Sequence, residues 1–305
     1  MTNSKKAYLF GLTAVACWST VASAFKLSLN YFSPSQLLVA ASLFSILALT
    51  GIVLKQGKLH LVGSYLRNRP LFYLCMGLLN PCLYYLILFK AYDLLPAQQA
   101  QPLNYTWAIT LTLMAVVFLK QKIRPQDWVA IVIGYLGAFV IATHGELTHL
   151  HFSHPLGVIL ALLSTVIWAM YWILNTKNQG DAIVSLLLAF LLGFPLVLIA
   201  NAWLSDFHMG HWQGWLGAVW VGFFEMGFTY VLWLQALRHT DNTARISNLI
   251  FISPFVSLVL LHFLVGENIY FSTITGLVLI VIALLIQQLK FKRSAKPRLQ
   301  SCNKD

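Results

Sequence analysis

The sequence predicts an all-α integral membrane protein with ten transmembrane helices, arranged as two inverted five-helix repeats. Three observations predict this fold class: the composition, the number of long apolar segments, and a likeness between the two halves of the chain. Of 305 residues, 59% are hydrophobic and only 10% are charged, with a mean hydropathy of +0.74. This composition is typical of a polytopic membrane protein and argues against an ordinary soluble domain.

Ten apolar segments are long enough to cross a hydrocarbon core about 30 Å thick. The fourth is the most polar of them, because glutamine, asparagine and proline residues occupy its first half. The distribution of positive charge supports it nevertheless. In chain order, the predicted spans are residues 7–28, 34–54, 70–91, 97–119, 126–143, 155–175, 182–204, 214–236, 243–264 and 271–289.

The basic residues predict the orientation of the chain. With ten spans, every lysine and arginine except Lys26 and Lys90 falls on one side of the membrane. Because basic residues are concentrated on the cytoplasmic side of membrane proteins, we expect a bacterial inner (plasma) membrane protein with both termini in the cytoplasm. The net charge of +11 then reflects topology and contact with anionic headgroups, and we expect no nucleic-acid partner.

The two halves of the chain resemble each other. Residues 85–91 can be aligned with residues 230–236, and the same shift places Asn80 on Glu225. Since five is an odd number, a duplicated five-helix unit enters the membrane in opposite directions in its two copies. The expected units are residues 1–148 for the first repeat, 149–289 for the second repeat and 290–305 for a basic cytoplasmic tail.

Several segments resemble the EamA family of the drug/metabolite transporter superfamily. Residues 18–26 (Trp-Ser-Thr-Val-Ala-Ser-Ala-Phe-Lys) resemble the opening of one EamA unit, and residues 167–171 (Ile-Trp-Ala-Met-Tyr) resemble the opening of a second. Residues 244–254, followed by residues 263–267, are similar to the late part of such a unit. Residues 104–107 (Asn-Tyr-Thr-Trp) are also similar to a segment of the aromatic amino-acid exporters.

This resemblance covers nearly the whole chain and implies a function. Members of the family are ten-helix exporters or exchangers that move small metabolites, such as amino acids or related amphipathic solutes, by alternating access, often with proton coupling. The resemblance implies a central cavity lined by the first, third, fourth, sixth, eighth and ninth helices. The expected partners are therefore a small-molecule substrate, the lipid bilayer and protons. The oligomeric state is left open.

Polar and aromatic side chains inside the spans are the candidates for substrate binding. An amide in hydrocarbon needs a partner, which a substrate or water in a cavity supplies, although an amide that joins two helices is the alternative. Trp18 and Trp168 lie at mid-depth, away from the headgroup region where tryptophan is common, so they form either cavity walls or ordinary packing. The candidate substrate-binding residues are Trp18, Asn80, Tyr84, Gln101, Asn104, Trp107 and Trp168.

Glu225 lies at the middle of the eighth predicted span and is the only acidic residue at such a depth. A carboxylate there costs a few kcal/mol, so it must be paired, protonated or in contact with water. Three interpretations remain open. Glu225 is a proton-coupling site, it binds an ammonium group of the substrate, or it is a structural acid bonded to Thr229 or to a facing helix.

Other classes of function agree less well with the sequence. A membrane-embedded enzyme generally needs a pair of catalytic acids, bases or metal ligands, and the middle of the spans offers Glu225 alone, so we expect no enzyme. A channel or a non-transporting scaffold is the remaining alternative. A histidine-containing polar loop explains the cluster between the halves, so we expect neither a metal site nor a cofactor. Its members are His144, His149, His151 and His154.

Overall fold

The computed structural model describes residues 3–146, 154–240 and 243–288, and the elements in these ranges are helices. Ten helices are long and apolar enough to cross a membrane, which confirms the predicted fold class. The predicted tail, residues 290–305, lies outside the described residues. The spans are α1 (Ser4–Leu29), α2 (Pro34–Lys55), α3 (Pro70–Leu94), α4 (Ala97–Leu119), α5 (Pro125–Ala142), α6 (Pro155–Asn175), α7 (Ala182–Leu204), α8 (Trp212–Arg238), α9 (Arg245–Val265) and α10 (Phe271–Gln288).

Local sequence signals explain where several spans begin and end. Four spans, α2, α3, α5 and α6, start with proline, which has no N–H to leave unpaired in a first turn. Ser33 accepts a hydrogen bond from the Gln36 backbone and completes a capping box at α2. Asp181 accepts from the first backbone N–H groups of α7. At the end of α9, Gly266 has a φ of 81°, a conformation that favours glycine.

Regular α-helix is interrupted within four of the spans. Wider π-helical turns occupy Leu78–Leu83 of α3 and Val221–Glu225 of α8. In the second pair, α4 breaks at Thr106 and α9 contains a 3₁₀ segment, Asn248–Ile252. When the two halves are aligned by the shift noted above, the break in α3 overlaps the break in α8, and Thr106 falls within the 3₁₀ segment of α9. Discontinuous helices at matching positions are typical of transporters with inverted repeats.

The contacts between spans also show the relationship between the two halves. The helix α2 packs against α7, and α5 packs against α10, so each of these pairs joins equivalent spans. The contact of α1 with α8 is matched by that of α6 with α3. The contact of α1 with α9 is likewise matched by that of α6 with α4. Each of these contacts therefore has a counterpart in which the two halves have changed places, as expected for inverted repeats.

Glycine allows the closest approach between α5 and α10. A Cβ atom built on Gly137 would lie 2.6 Å from the carbonyl oxygen of Gly276 and 3.0 Å from Cβ of Leu279. A Cβ atom on Gly276 would in turn meet the carbonyl oxygen of Gly137 at 2.5 Å. No side chain fits between the two backbones, and such small-residue contacts are characteristic of helix pairs in membranes.

Candidate substrate site between the two halves

A cavity of about 690 Å³ lies among the spans. Its volume falls within the roughly 300–1,000 Å³ of small-molecule sites. Side chains of α1, α3, α4, α6, α8 and α9 line it, which are the six helices that the family resemblance implies, and α2, α7 and α10 contribute further residues. Both halves of the chain therefore form its walls.

The cavity extends to the end of the bundle that carries most of the basic residues. Asn175 and Leu237, at the ends of α6 and α8, line it there. So do Ala182 and Ser247, at the starts of α7 and α9, together with Gln288 at the end of α10. Ala182 and Gln288 are exposed. In the part of the chain that the structure describes, the cavity is therefore open at this end.

At the opposite end, aromatic rings and a lysine close the cavity. The ring of Phe25 lies 4.8 Å from that of Phe89 and 5.2 Å from that of Tyr92, measured between centroids. The ammonium group of Lys26 donates hydrogen bonds to the carbonyl oxygens of Tyr92 at 2.8 Å and Leu95 at 2.9 Å. These contacts join the end of α1 to the end of α3.

A second group of contacts at the closed end joins α4 to the turn between α9 and α10. The carboxylate of Glu267 accepts hydrogen bonds from the backbone N–H groups of Ala97 at 2.7 Å and Gln98 at 2.9 Å. The amide of Gln98 donates to the Asn268 carbonyl at 2.5 Å and accepts from the Tyr270 N–H at 3.0 Å. An acidic side chain of the second half thus caps a helix of the first half.

Aromatic side chains form two walls of the cavity. On one side, the rings of Tyr84 and Trp168 stack with centroids 4.4 Å apart, and Trp107 meets Trp168 edge-on at 6.5 Å. On the other side, Trp18 contacts Tyr230 at 6.2 Å and Trp233 at 5.4 Å. We call these the Trp168 wall, formed by Tyr84, Trp107, Trp168, Tyr171 and Trp172, and the Trp18 wall, formed by Trp18, Tyr230 and Trp233.

Glu225 lies at the π-helical turn of α8 and lines the cavity. Its Oε1 accepts a hydrogen bond of 3.1 Å from the hydroxyl of Tyr85 on α3. Within the described residues, Oε2 takes part in no hydrogen bond. A bond to Thr229 was one of the possibilities left open, but among the described residues the hydroxyl of Thr229 donates to the carbonyl oxygen of Phe224 in its own helix. Glu225 is therefore bonded to a facing helix instead.

The two candidate amides of α4 differ in their bonding. Gln101 lines the cavity and is only 6% exposed, and its Oε1 is a buried atom with no partner among the described residues. Asn104 also lines the cavity, but its Oδ1 accepts from the Tyr84 hydroxyl at 3.3 Å. Its Nδ2 donates to Ser164 at 3.0 Å. Asn104 thus joins three helices, whereas Gln101 presents an unsatisfied group.

Asn80 is the candidate that does not reach the cavity wall. It is 1% exposed and lies against the phenol of Tyr171, and Tyr171 rather than Asn80 lines the cavity. Asn80 lies four residues before Tyr84, but the backbone between them does not form a regular helical turn. The backbone at Asn80 has φ −141° and ψ 114°, outside the helical region, so this residue is out of register with the turn that follows.

Several cavity residues did not follow from the sequence patterns. Tyr230 was aligned with Tyr85 only as a sign of duplication, yet it lines the cavity while Tyr85 bonds to Glu225. Trp233 lies eight residues after Glu225, beyond the interruption of α8, so its position in the cavity does not follow from regular helical spacing.

The described part of the cavity lining contains one ionisable acid, Glu225, and no lysine, arginine or histidine. In the described ranges, no group of three histidine, cysteine or acidic residues could hold a metal ion. His149 and His151 lie outside the described residues, whereas the ring of His144 packs edge-on against Tyr270 at 5.0 Å.

Comparisons with known proteins agree with this architecture. The model of the EamA-like transporter family matches residues 5–143 and 155–287. The chain is similar to the uncharacterized transporter YvbV of Bacillus subtilis, with 23% identity over 224 residues and 72% of each chain covered. It is also similar to an uncharacterized transporter of Clostridium kluyveri, with 24% identity over 303 residues and 95% of each chain covered.

A solved crystal structure of a protein has the same fold, with a TM-score of 0.64 and 20% identity over 93% of this chain and 96% of that one. The family matches cover both halves and leave out mainly the connection between them and the tail. The protein is thus a multi-pass membrane transporter rather than an enzyme, as predicted, with a small molecule as its substrate. This chain belongs to the EamA-like transporter family.

Proposed function

We propose that the protein is a secondary transporter that exports or exchanges small metabolites, amino acids or related amphipathic solutes, by alternating access around its cavity. The observation that carries the proposal is that one cavity, shared by both halves, is open at one end and closed at the other. A pore would need a path through both ends at once, whereas a carrier opens them in turn.

The positions of the basic residues support an inward-facing state. Lys58, Arg69, Lys177, Arg238 and Arg245 lie at the helix ends that surround the open end of the cavity. By the preference of basic residues for the cytoplasmic side, this end faces the cytoplasm, as do both termini. The plasma membrane is the corresponding location.

Both repeats contribute residues to the site. We assign residues 1–148 to the first repeat and 149–289 to the second, a division supported by the two separate family matches. The aromatic side chains provide flat apolar surfaces, and Gln101 provides a polar group for the substrate. Asn104 holds Tyr84 in place, and Asn80 acts indirectly, through Tyr171.

Glu225 is the candidate for proton coupling. A carboxyl group that is reached from the cavity can bind a proton on one side of the membrane and release it on the other. The ionisable groups nearest to it are tyrosines, of which Tyr85 donates the hydrogen bond described above. If Glu225→Gln leaves both uptake and its pH dependence unchanged in reconstituted vesicles, this role is excluded.

Ligand screening followed by counterflow tests the transport proposal. The purified protein is heated with amino acids, purines, amines and sugars, because a ligand that prefers the folded state raises the apparent stability by mass action. A stabilising compound is then sealed, unlabelled, inside proteoliposomes. We expect labelled compound outside to enter these faster than empty proteoliposomes, with saturation at high concentration.

A matched pair of variants tests whether the ligand binds in the cavity. Gln101→Leu removes the unsatisfied amide from the cavity and should weaken ligand binding about tenfold. Gln56→Leu makes the same change at an exposed position at the end of α2 and should have no effect. Flux that rises linearly and is indifferent to the internal ligand would indicate a channel, and the absence of any stabilising ligand would indicate a scaffold.

A further inference from the structure

We propose that the substrate of this cavity is an amine with a single positive charge and a flat apolar body. Its ammonium group pairs with Glu225 once that carboxyl group has released its coupled proton, and its body lies between the Trp168 wall and the Trp18 wall. The inference rests on the proposed transport function and narrows its substrate class from amphipathic solutes in general to monoamines.

The first argument is charge. Glu225 is the only ionisable acid in the described lining, and no lysine, arginine or histidine accompanies it there. The nearest lysine of α1, Lys26, is held by the carbonyl groups of Tyr92 and Leu95 at the closed end. A carboxylate in surroundings of low dielectric is strongly stabilised by a nearby cation, and a ligand ammonium supplies one. An anionic ligand would meet a like charge without a compensating one.

The second argument is the supply of hydrogen-bond acceptors. Tyr85 occupies Oε1 of Glu225, and Oε2 makes no hydrogen bond to the described residues. The buried Oε1 of Gln101 is a further acceptor without a partner. An ammonium group carries three N–H donors and no acceptor, so it is suited to an acceptor such as Oε2 of Glu225.

The donors in the cavity are less suited to a carboxylate. Both polar atoms of Asn104 are already bonded, to Tyr84 and to Ser164. The indole N–H of Trp172 is a buried donor with no partner among the described residues. Because this donor is neutral, it favours a hydroxyl or ether oxygen on the body of the ligand, but it does not offset the negative charge of Glu225.

The third argument is the aromatic surroundings. Tyr84, Tyr105 and Tyr230 lie within electrostatic range of Glu225. Aromatic faces attract cations through the negative face of the ring, and flat rings of a ligand stack on tryptophan. The Trp168 wall and the Trp18 wall therefore favour a cation with an aromatic body over a hydrated inorganic cation.

Four phenyl compounds that differ only in the end group test the inference. They are phenethylamine, 2-phenylethanol, phenylalanine and phenylacetate, which present a cation, a neutral group, a zwitterion and an anion. Binding to the purified full-length protein is followed by tryptophan fluorescence, since the phenyl ring does not absorb at wavelengths that excite only indole. We expect phenethylamine to bind at least about tenfold more tightly than 2-phenylethanol, as a charge pair in a cavity should produce.

Variants at Glu225 test whether its charge causes the preference for the amine over the alcohol. In Glu225→Gln the amine and the alcohol should bind with similar affinity, and the alcohol should bind as in the unaltered protein, which also shows that the variant is folded. Glu225→Asp, which keeps the charge, should retain a preference for the amine. Glu146→Gln, the same change at an exposed position beyond the end of α5, should leave the ratio unchanged.

The outcomes separate this inference from the transport proposal. If the unaltered protein does not prefer the amine, or if Glu225→Gln keeps the preference, the inference is overturned. Saturable counterflow of phenylalanine or 2-phenylethanol with no preference for phenethylamine would overturn it and leave the transport proposal intact. Amine binding without counterflow of any compound would instead overturn the transport proposal.

Discussion

The hydroxyl of Tyr85 donates a hydrogen bond of 3.1 Å to the carboxyl group of Glu225, and this contact joins α3 to α8 near the middle of the bundle. The alignment of the two halves had paired Tyr85 with Tyr230 and Asn80 with Glu225. The reverse contact, between Tyr230 and Asn80, is absent from the hydrogen bonds of the described residues. The site is therefore asymmetric, although the fold around it is repeated.

Removal of the Tyr85 hydroxyl should destabilise the protein. Tyr85 is 1% exposed, and a buried hydrogen bond to a carboxyl group contributes about 1.5–3 kcal/mol. We expect Tyr85→Phe to lower the free energy of unfolding by that amount in reversible detergent denaturation. Tyr92→Phe is the control, because its hydroxyl makes no hydrogen bond within the described residues. Equal losses in the two variants would contradict the assignment.

Loss of the Glu267 carboxylate should loosen the start of α4. Glu267 accepts two backbone N–H groups there, and an N-terminal cap contributes about 1 kcal/mol. We expect Glu267→Gln to accelerate amide hydrogen exchange at Ala97 and Gln98, measured by mass spectrometry on peptides from the start of α4. Glu146→Gln should leave this exchange as it is. Unchanged amide hydrogen exchange in Glu267→Gln would show that the Glu267 carboxylate does not stabilise the start of α4.

A methyl group at Gly137 should separate α5 from α10. Because the new Cβ would lie 2.6 Å from the Gly276 carbonyl oxygen, the helices must shift, and overpacking of this kind costs about 1–3 kcal/mol. We expect Gly137→Ala to lower the free energy of unfolding by this amount. Gly51→Ala is the control, since nothing lies within 4 Å of its added Cβ, and helix propensity should make it neutral or slightly stabilising.

The ion pair between Lys58 and Asp181 should make stability depend on pH in the acid range. The two side chains are 2.6 Å apart, before the start of α7. Partial burial by itself raises the pKa of Asp181, but hydrogen bonds from Lys58 and from the N–H groups of Ile183 and Val184 outweigh it and hold the pKa below its usual value. The stabilisation is therefore complete above the pKa of the unfolded chain, about 3.9, and is lost as pH falls below that value.

Two variants at Asp181 test this dependence. Asp181→Ala removes both the cap and the ion pair and should lower the free energy of unfolding at neutral pH by about 1 kcal/mol, with a smaller difference in acid. Asp181→Asn keeps a capping oxygen, so at neutral pH it should lose less stability than Asp181→Ala. Its free energy of unfolding should change less than that of the unaltered protein between pH 5 and roughly pH 3. A constant difference between the unaltered protein and Asp181→Ala at every pH would rule out the proposed ionisation.

The spans were predictable because hydrocarbon imposes a simple requirement on the chain. A helix that crosses it must be apolar over about 20 residues, and that pattern is visible without knowledge of any contact. Even α4, with its polar first half, could be predicted, since the positions of the basic residues indicate the number of crossings. Polar or aromatic residues at mid-depth were also conspicuous, and Trp18, Gln101, Trp168 and Glu225 all line the cavity.

The misplaced contacts all depend on departures from regular helix geometry or on distant partners. The position of Asn80 could not be read from helical spacing, because the chain leaves the helical conformation at that residue. The partner of Glu225 is 140 residues away, and nothing in the local sequence of α8 indicates it. Thr229, four residues after Glu225, was the natural choice in a regular helix, but the π-helical turn directs its hydroxyl to the Phe224 carbonyl.

The contact of Gly137 with Gly276 has a mechanical consequence. Two backbones that touch without intervening side chains can turn about their crossing point, but they cannot slide past each other without collision. We therefore expect the two halves to rotate about the crossing of α5 and α10 during transport. Displacements should then grow from this crossing toward the far side of the bundle. Distance measurements between spin labels on the two halves should show the smallest change beside these glycines.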